Sequence, residues 1–164
     1  MKQLFIIRHA KSSWAMSGQP DFDRPLNDRG LRDAPEMAQR LWDAGIMLDS
    51  IISSPANRAI TTATFFAKRF GIALDSIVQL PQLYHAPPDV FYEVIAQHIP
   101  DSAQSVAIFA HNPGITEFVN STRTGLIVDM PTCAIVGITS DLEKWADWQA
   151  SKKRLLLFDY PKNR

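Results

Sequence analysis

Three short apolar runs in this chain each stop abruptly at residues that carry chemistry, and this punctuation constrains the fold more than any other feature. Leu4-Phe5-Ile6-Ile7 gives way to Arg8-His9-Ala10-Lys11-Ser12-Ser13. Ser50-Ile51-Ile52-Ser53 gives way to Ser54-Pro55-Ala56-Asn57-Arg58, and Val106-Ala107-Ile108-Phe109-Ala110 to His111-Asn112-Pro113-Gly114. Short continuous apolar runs bounded by turn signals read as strands buried on both faces, which belong to parallel sheets covered by helices. In open α/β sheets, ligands bind in the crevice outside the carboxyl ends of the strands. Residues just past each run therefore face whatever is bound.

The second and third runs lead into helices. Ser54 reads as an N-cap with Pro55 as the first helical residue, which places Arg58 in the first turn. Asn112 reads as a cap, with Pro113 opening the next helix. The amide groups and dipole at such a terminus favour anions. An imidazole beside a guanidinium points to phosphate: histidine can attack phosphorus, and the arginine fork can bind phosphoryl oxygens in pairs. Two histidines, His9 and His111, and two arginines, Arg8 and Arg58, are expected to converge.

Apolar spacing predicts strands near residues 2–8, 49–53, 77–79, 105–110, 132–139 and 153–159, and helices near 28–44, 55–70, 88–98 and 113–121. Strands alternate with helices, so the expected architecture is α/β, with a mostly parallel central sheet and helices on both faces. The last two strands, joined through a connection holding Trp145 and Trp148, read as an antiparallel edge pair. Asn27 reads as the cap of the first helix, whose Met37, Ala38 and Leu41 face the core. The irregular stretch from Ser12 to Asn27 is long enough to suggest a wall of a site.

Composition narrows the class. A chain of 164 residues is about one domain, and 17 basic residues balance 17 acidic ones, so no global positive field favours nucleic acid. Cys133 is the only cysteine, which leaves no internal disulfide or thiolate cluster for zinc; its apolar neighbours suggest core. No signal-peptide pattern or membrane-spanning apolar stretch is visible, and a cytoplasmic protein is expected. A metal held by His9 and His111 is disfavoured, because two arginines would repel a cation.

Arg8-His9-Ala10-Lys11-Ser12, Asp23-Arg24-Pro25-Leu26-Asn27-x-Arg29-Gly30, Ser54-Pro55-Ala56-x-Arg58-Ala59-x-x-Thr62-Ala63, His111-Asn112-Pro113-Gly114 and Met130-Pro131-Thr132 occur in this order. Taken together they resemble the histidine phosphatase superfamily, and more finely the small bacterial phosphohistidine phosphatases of the SixA type. The resemblance implies a three-layer α/β/α sandwich of the phosphoglycerate mutase-like kind, formed by one domain over residues 1–164. It also implies a phosphohistidine intermediate on His9, in a pocket built by Arg8, Arg58 and His111, with no cofactor.

On that reading neutral His9 attacks phosphorus in line, and positioned positive charge supplies most of the rate. The stretch Leu80–Pro87 carries no carboxylate to serve as general acid, which favours a phosphorylated imidazole over an alcohol ester as substrate. His85 is a candidate acid or substrate contact. Lys11, Ser12, Arg24, Arg29 and Asn112 are candidate substrate-binding residues; Arg24 and Arg29 alternatively pair with Asp21, Asp23, Asp28 or Asp33. The expected partner is a phosphorylated protein such as a histidine-containing phosphotransfer domain, approached over an open pocket with Arg24, Arg29 and Trp14 on its rim. The competing readings are a phosphatase of small phosphoesters and a noncatalytic phosphate-binding module.

Overall fold

A computed structural model describes residues 1–163. Strands β1 (Lys2–Arg8), β2 (Ser50–Ser53), β3 (Val78–Gln79), β4 (Ser105–Ala110), β5 (Ile135–Ser140) and β6 (Lys153–Asp159) form one sheet in the order β3-β2-β4-β1-β5-β6. The first four run parallel, whereas β5 is antiparallel to both β1 and β6. The expected α/β architecture with an antiparallel edge pair is observed.

Alternation along β1 builds the layers. Leu4 and Ile6 pack with Val94 and Ile95 of α3 (Pro88–His98) and Phe118 and Val119 of α4 (Gly114–Ser121). Phe5 and Ile7 point the other way, onto Met37 and Leu41 of α1 (Asp28–Asp43) and Phe66 of α2 (Asn57–Phe70). All are buried, each contributing about 1.5–3 kcal/mol of transfer free energy. The sheet is thus covered on both faces, and its polar strand ends are where chemistry can be exposed.

Three boundaries differ from expectation, each because a polar group has another task. Helix α2 starts at Asn57 with Ala56 in the cap position, and Ser54 does not cap it. The Ser54 hydroxyl instead accepts from the Ala56 amide and lies 2.7 Å from His111 Nε2. Pro113, not Asn112, precedes α4, because the Asn112 side chain accepts from Thr116 Oγ1 and donates to Asp129 and the Met130 carbonyl. Strand β5 begins at Ile135 rather than 132, since the Cys133 amide donates to the His9 carbonyl across a turn closed by Ala134 N and Pro131 O. Cys133 is fully buried, and burial pushes its thiol pKa well up, consistent with the core reading. Asn27 caps α1 as expected, accepting from the Gly30 amide at 2.9 Å.

Two glycines let backbones meet beside the strand ends. A Cβ on Gly30 would fall 2.2 Å from the Lys11 carbonyl oxygen, and one on Gly114 would fall 1.7 Å from that of Ala86. The second contact ties the start of α4 to the loop carrying His85. Gly114→Ala is expected to lower stability by about 2 kcal/mol or more, measured by urea denaturation. An unchanged midpoint would contradict the close-approach role.

Candidate active site

The parallel pairing of β1 with β4 puts Arg8 opposite Ala110, and β4 pairs with β2 so that Phe109 lies opposite Ser53. The next residues, His9, His111 and Ser54, consequently emerge side by side. The two imidazole centroids are 5.2 Å apart, close to the spacing of neighbouring strands. Arg58 in the first turn of α2 and Arg8 at the end of β1 join them in one pocket of about 270 Å³.

Each group is fixed by a specific contact. His9 Nδ1 lies 2.8 Å from the Ala10 carbonyl oxygen. A carbonyl only accepts, so the proton sits on Nδ1 and the lone pair on Nε2. The Ala10 amide donates to Thr62 Oγ1, whose hydroxyl donates to the Arg58 carbonyl, fastening the loop after β1 to α2. Arg8 donates to the Met130 carbonyl at 2.8 Å. Arg58 is 3% exposed and grips Asp21, through Nη1 to its carbonyl at 2.7 Å and through Nη2 to Oδ2 at 2.9 Å. Arg8 Nε, Arg58 Nε and His111 Nδ1 are buried without a hydrogen-bond partner in the protein. Left so, such groups cost about 1–3 kcal/mol each, and all three belong to residues that line this one pocket.

Burial pushes the His9 pKa down to about 3; the Ala10 hydrogen bond opposes this, while Arg58, Arg8 and Arg24 add to it. His111 is pushed down to about 2 by burial and then by His9, Arg58 and His85. Both imidazoles are therefore neutral near pH 7, as a histidine nucleophile requires.

Of the remaining expected site residues, Lys11, Ser12, Arg24, His85 and Asn112 line this pocket together with Trp14 and Thr132. Arg24 corrects the rim expectation: it is buried, pairs with Asp21 at 3.1 Å, donates to Ser12 at 2.9 Å and stacks 3.5 Å from the Trp14 ring centre. Arg29 is not brought to the site. It pairs with Asp33 at 3.3 Å and lines a separate groove with Arg32, Glu36 and Lys162.

Asp21 is the residue that sequence reasoning missed. Its carboxylate accepts from Arg24, Arg58 and Tyr84 and lies 3.4 Å from His85 Nε2. Burial alone would raise its pKa, but hydrogen bonds from Tyr84, Arg58 and Arg24 outweigh that and hold it well below the usual range. The long loop from Ser12 was the available signal; the aspartates within it read as surface pairs. Among the described residues no group of three or more His, Cys, Asp or Glu side chains is placed to hold a metal ion. No helix among them is long and apolar enough to cross a membrane.

The Histidine phosphatase superfamily (branch 1) model matches residues 4–84. The SixA protein of Agrobacterium tumefaciens superposes with a TM-score of 0.81 at 28% identity, covering 98% of each chain. Residues 4–84 thus carry the pattern of the histidine phosphatase superfamily, and the fold of the whole chain is that of the SixA structure. A histidine phosphatase fold is likewise seen in the protein histidine phosphatase SixA complexed with tungstate, with TM-score 0.82, 21% identity and 98% of each chain covered. An uncharacterized chloroplastic protein of Arabidopsis thaliana is 27% identical over 139 residues, which is 80% of this chain and 63% of that relative. This chain thus spans less than two thirds of that curated relative. Over nearly its whole length the chain resembles SixA structures.

The depressed imidazoles set a pH dependence of stability. Between pH 6.5 and about 3 the unfolded chain protonates His9 while the folded protein does not. The unfolded state then binds more protons, so stability falls as pH drops through that window, by up to about 1.4 kcal/mol per pH unit for each such histidine. Asp21 acts at lower pH, its stabilisation present above 3.8 and lost as pH falls through its depressed folded value. Unfolding free energies of His9→Gln between about pH 6 and 4.5 are expected to fall less steeply than those of the parent. Equal slopes would contradict a buried neutral His9.

Proposed function

We propose that this protein is a phosphatase that removes the phosphoryl group from phosphohistidine on a protein partner, through a covalent phosphohistidine intermediate on His9. The observation that carries the reading is the set of unpartnered nitrogens on Arg8, Arg58 and His111, gathered around an imidazole whose Nε2 lone pair is free to attack. Arg8, Arg58 and His111 hold the equatorial oxygens while His9 Nε2 attacks phosphorus in line. The substrate P–N bond breaks, and its electron pair stays on the departing imidazole. Water then attacks the phosphoryl group on His9, the new P–N bond breaks and the ring regains its lone pair. The incoming phosphoryl dianion supplies the opposite charge that burial of His111 otherwise withholds, and so favours its protonated form.

Phosphohistidine suits this site because a protonated phosphoimidazole leaves without further acid, whereas an alkoxide does not. The pocket mouth suits a protein. Trp14 is 76% exposed beside it, and Leu126 and Val128 are still more exposed near Asp129, which holds Asn112 of the pocket. Exposed apolar side chains of this kind mark interaction surfaces when they cluster. The partner is a phosphorylated protein such as a histidine-containing phosphotransfer domain. Likeness to SixA structures supports the same reading.

Mixing the protein with a phosphohistidine peptide is expected to yield phosphate and an acid-labile, alkali-stable enzyme adduct on His9. His9→Ala is expected to retain its circular dichroism and lose both. Arg58→Ala should lower kcat/KM by about 10²–10³, equivalent to roughly 2.7–4 kcal/mol of transition-state stabilisation. Turnover of phosphomonoesters without turnover of phosphohistidine would contradict the substrate assignment, and turnover by His9→Ala would contradict the mechanism.

A further inference from the structure

Trp14 lines the same cavity as His9, Arg58 and His111, yet it is 76% exposed. An indole left in water forgoes most of the transfer free energy that burial would return. It is nonetheless held in place. The buried Arg24 guanidinium lies over one face of the indole, 3.5 Å from the ring centre. Arg24 is anchored in turn by Asp21 Oδ1 at 3.1 Å and by Ser12 Oγ at 2.9 Å. The loop on the N-terminal side of Trp14 is pinned as well: Ser12 bridges Leu26, the Ser13 amide donates to the Pro25 carbonyl, and Ser13 Oγ accepts from the Ala15 amide. Nearby rings are engaged with one another, His85 packing on Tyr84 at 4.1 Å and Phe22 meeting Tyr84 edge-on at 5.1 Å. The indole of Trp14 keeps its second face open.

We propose that this open face of Trp14 receives the imidazole of the substrate, which makes Trp14 the residue that selects a planar aromatic leaving group. The inference rests on the reading that His9 attacks phosphohistidine in this pocket. His9 is buried and Trp14 exposed, so they mark the inner and outer ends of one cavity. In-line displacement puts the leaving group on the side of phosphorus away from the nucleophile, which is the outer end. A planar ring arriving there meets a planar ring already fixed.

Offset stacking favours a neutral imidazole on indole, and cation–π attraction favours a protonated one. Arg24 behind the indole attracts the substrate as a whole, because phosphohistidine is a net anion. Since the loop and the indole are ordered before the substrate arrives, little conformational freedom is lost on stacking. Trp14 exchanges no proton and forms no bond. It holds the leaving ring while His9 attacks, and a leaving group without a ring gains nothing from it.

The test compares two P–N substrates, free phosphohistidine and phosphoramidate, in which ammonia replaces the imidazole. Loss of the indole also uncovers Arg24, so the quantity to read is the ratio of kcat/KM for phosphohistidine to kcat/KM for phosphoramidate. That ratio is expected to fall about three- to tenfold in Trp14→Ala and in Trp14→Leu, and to recover in Trp14→Phe, which restores a stacking face. A second reading needs no turnover: in the His9→Ala background, Trp14→Ala is expected to weaken binding of free phosphohistidine relative to inorganic phosphate by the same factor, measured by calorimetry. Unchanged ratios in both readings would overturn the platform and leave Trp14 as a cover for Arg24, with the phosphohistidine reading intact. A parent-like ratio in Trp14→Leu would overturn it too, since apolar bulk rather than stacking would then suffice. A parent protein that turns over phosphomonoesters but not phosphohistidine would overturn both readings.

Discussion

The parallel hydrogen-bonded pairing of β1 with β4 is the constraint on which the site depends. Register fixes Arg8 opposite Ala110, and one further residue on each strand brings two imidazoles to 5.2 Å. A parallel sheet needs crossovers, and those crossovers bury the sheet on both faces, leaving its carboxyl edge as the polar exit. Placement of Arg58 follows from the next strand in the order, because β2 lies beside β4 and its helix starts four residues after the strand ends. The same edge that ends the hydrophobic core begins the chemistry.

Electrostatics at that edge are balanced between burial and attraction. Cations at Arg8, Arg24 and Arg58 are crowded into one cavity, and Asp21 is the anion that faces two of them directly. A carboxylate there offsets the repulsion among guanidiniums while leaving Arg8 Nε and Arg58 Nε unpartnered. Burial keeps His9 and His111 neutral, so on the proposed mechanism His9 needs no deprotonation before it attacks. An anion entering there meets donors that are already positioned and already desolvated.

Much of this was legible in the sequence, for a definite reason. Strand ends are marked by the change from apolar runs to His9, Ser54 and His111, so fold class and the four central residues follow from pattern and resemblance. Boundaries slipped where side chains hydrogen-bond across the fold: Ser54 serves His111 rather than α2, and Asn112 serves Thr116 and Asp129 rather than α4. Arg29 and Asp21 show the other limit. Both belong to segments rich in opposite charges, where many pairings are available locally and only the folded path of the loop selects among them. Arg29 took its neighbour Asp33, whereas Asp21 reached across to Arg58, thirty-seven positions away.

The convergence of these groups on one oxyanion is tested most directly by titrating tungstate into uniformly ¹⁵N-labelled protein while following the ring nitrogens of His9 and His111 and the Nε resonances of Arg8 and Arg58. One bound anion touching all four side chains gives four sets of shifts that fit a single dissociation constant. Separate constants for the two histidines, or a His111 ring that does not respond while His9 does, would contradict a shared site.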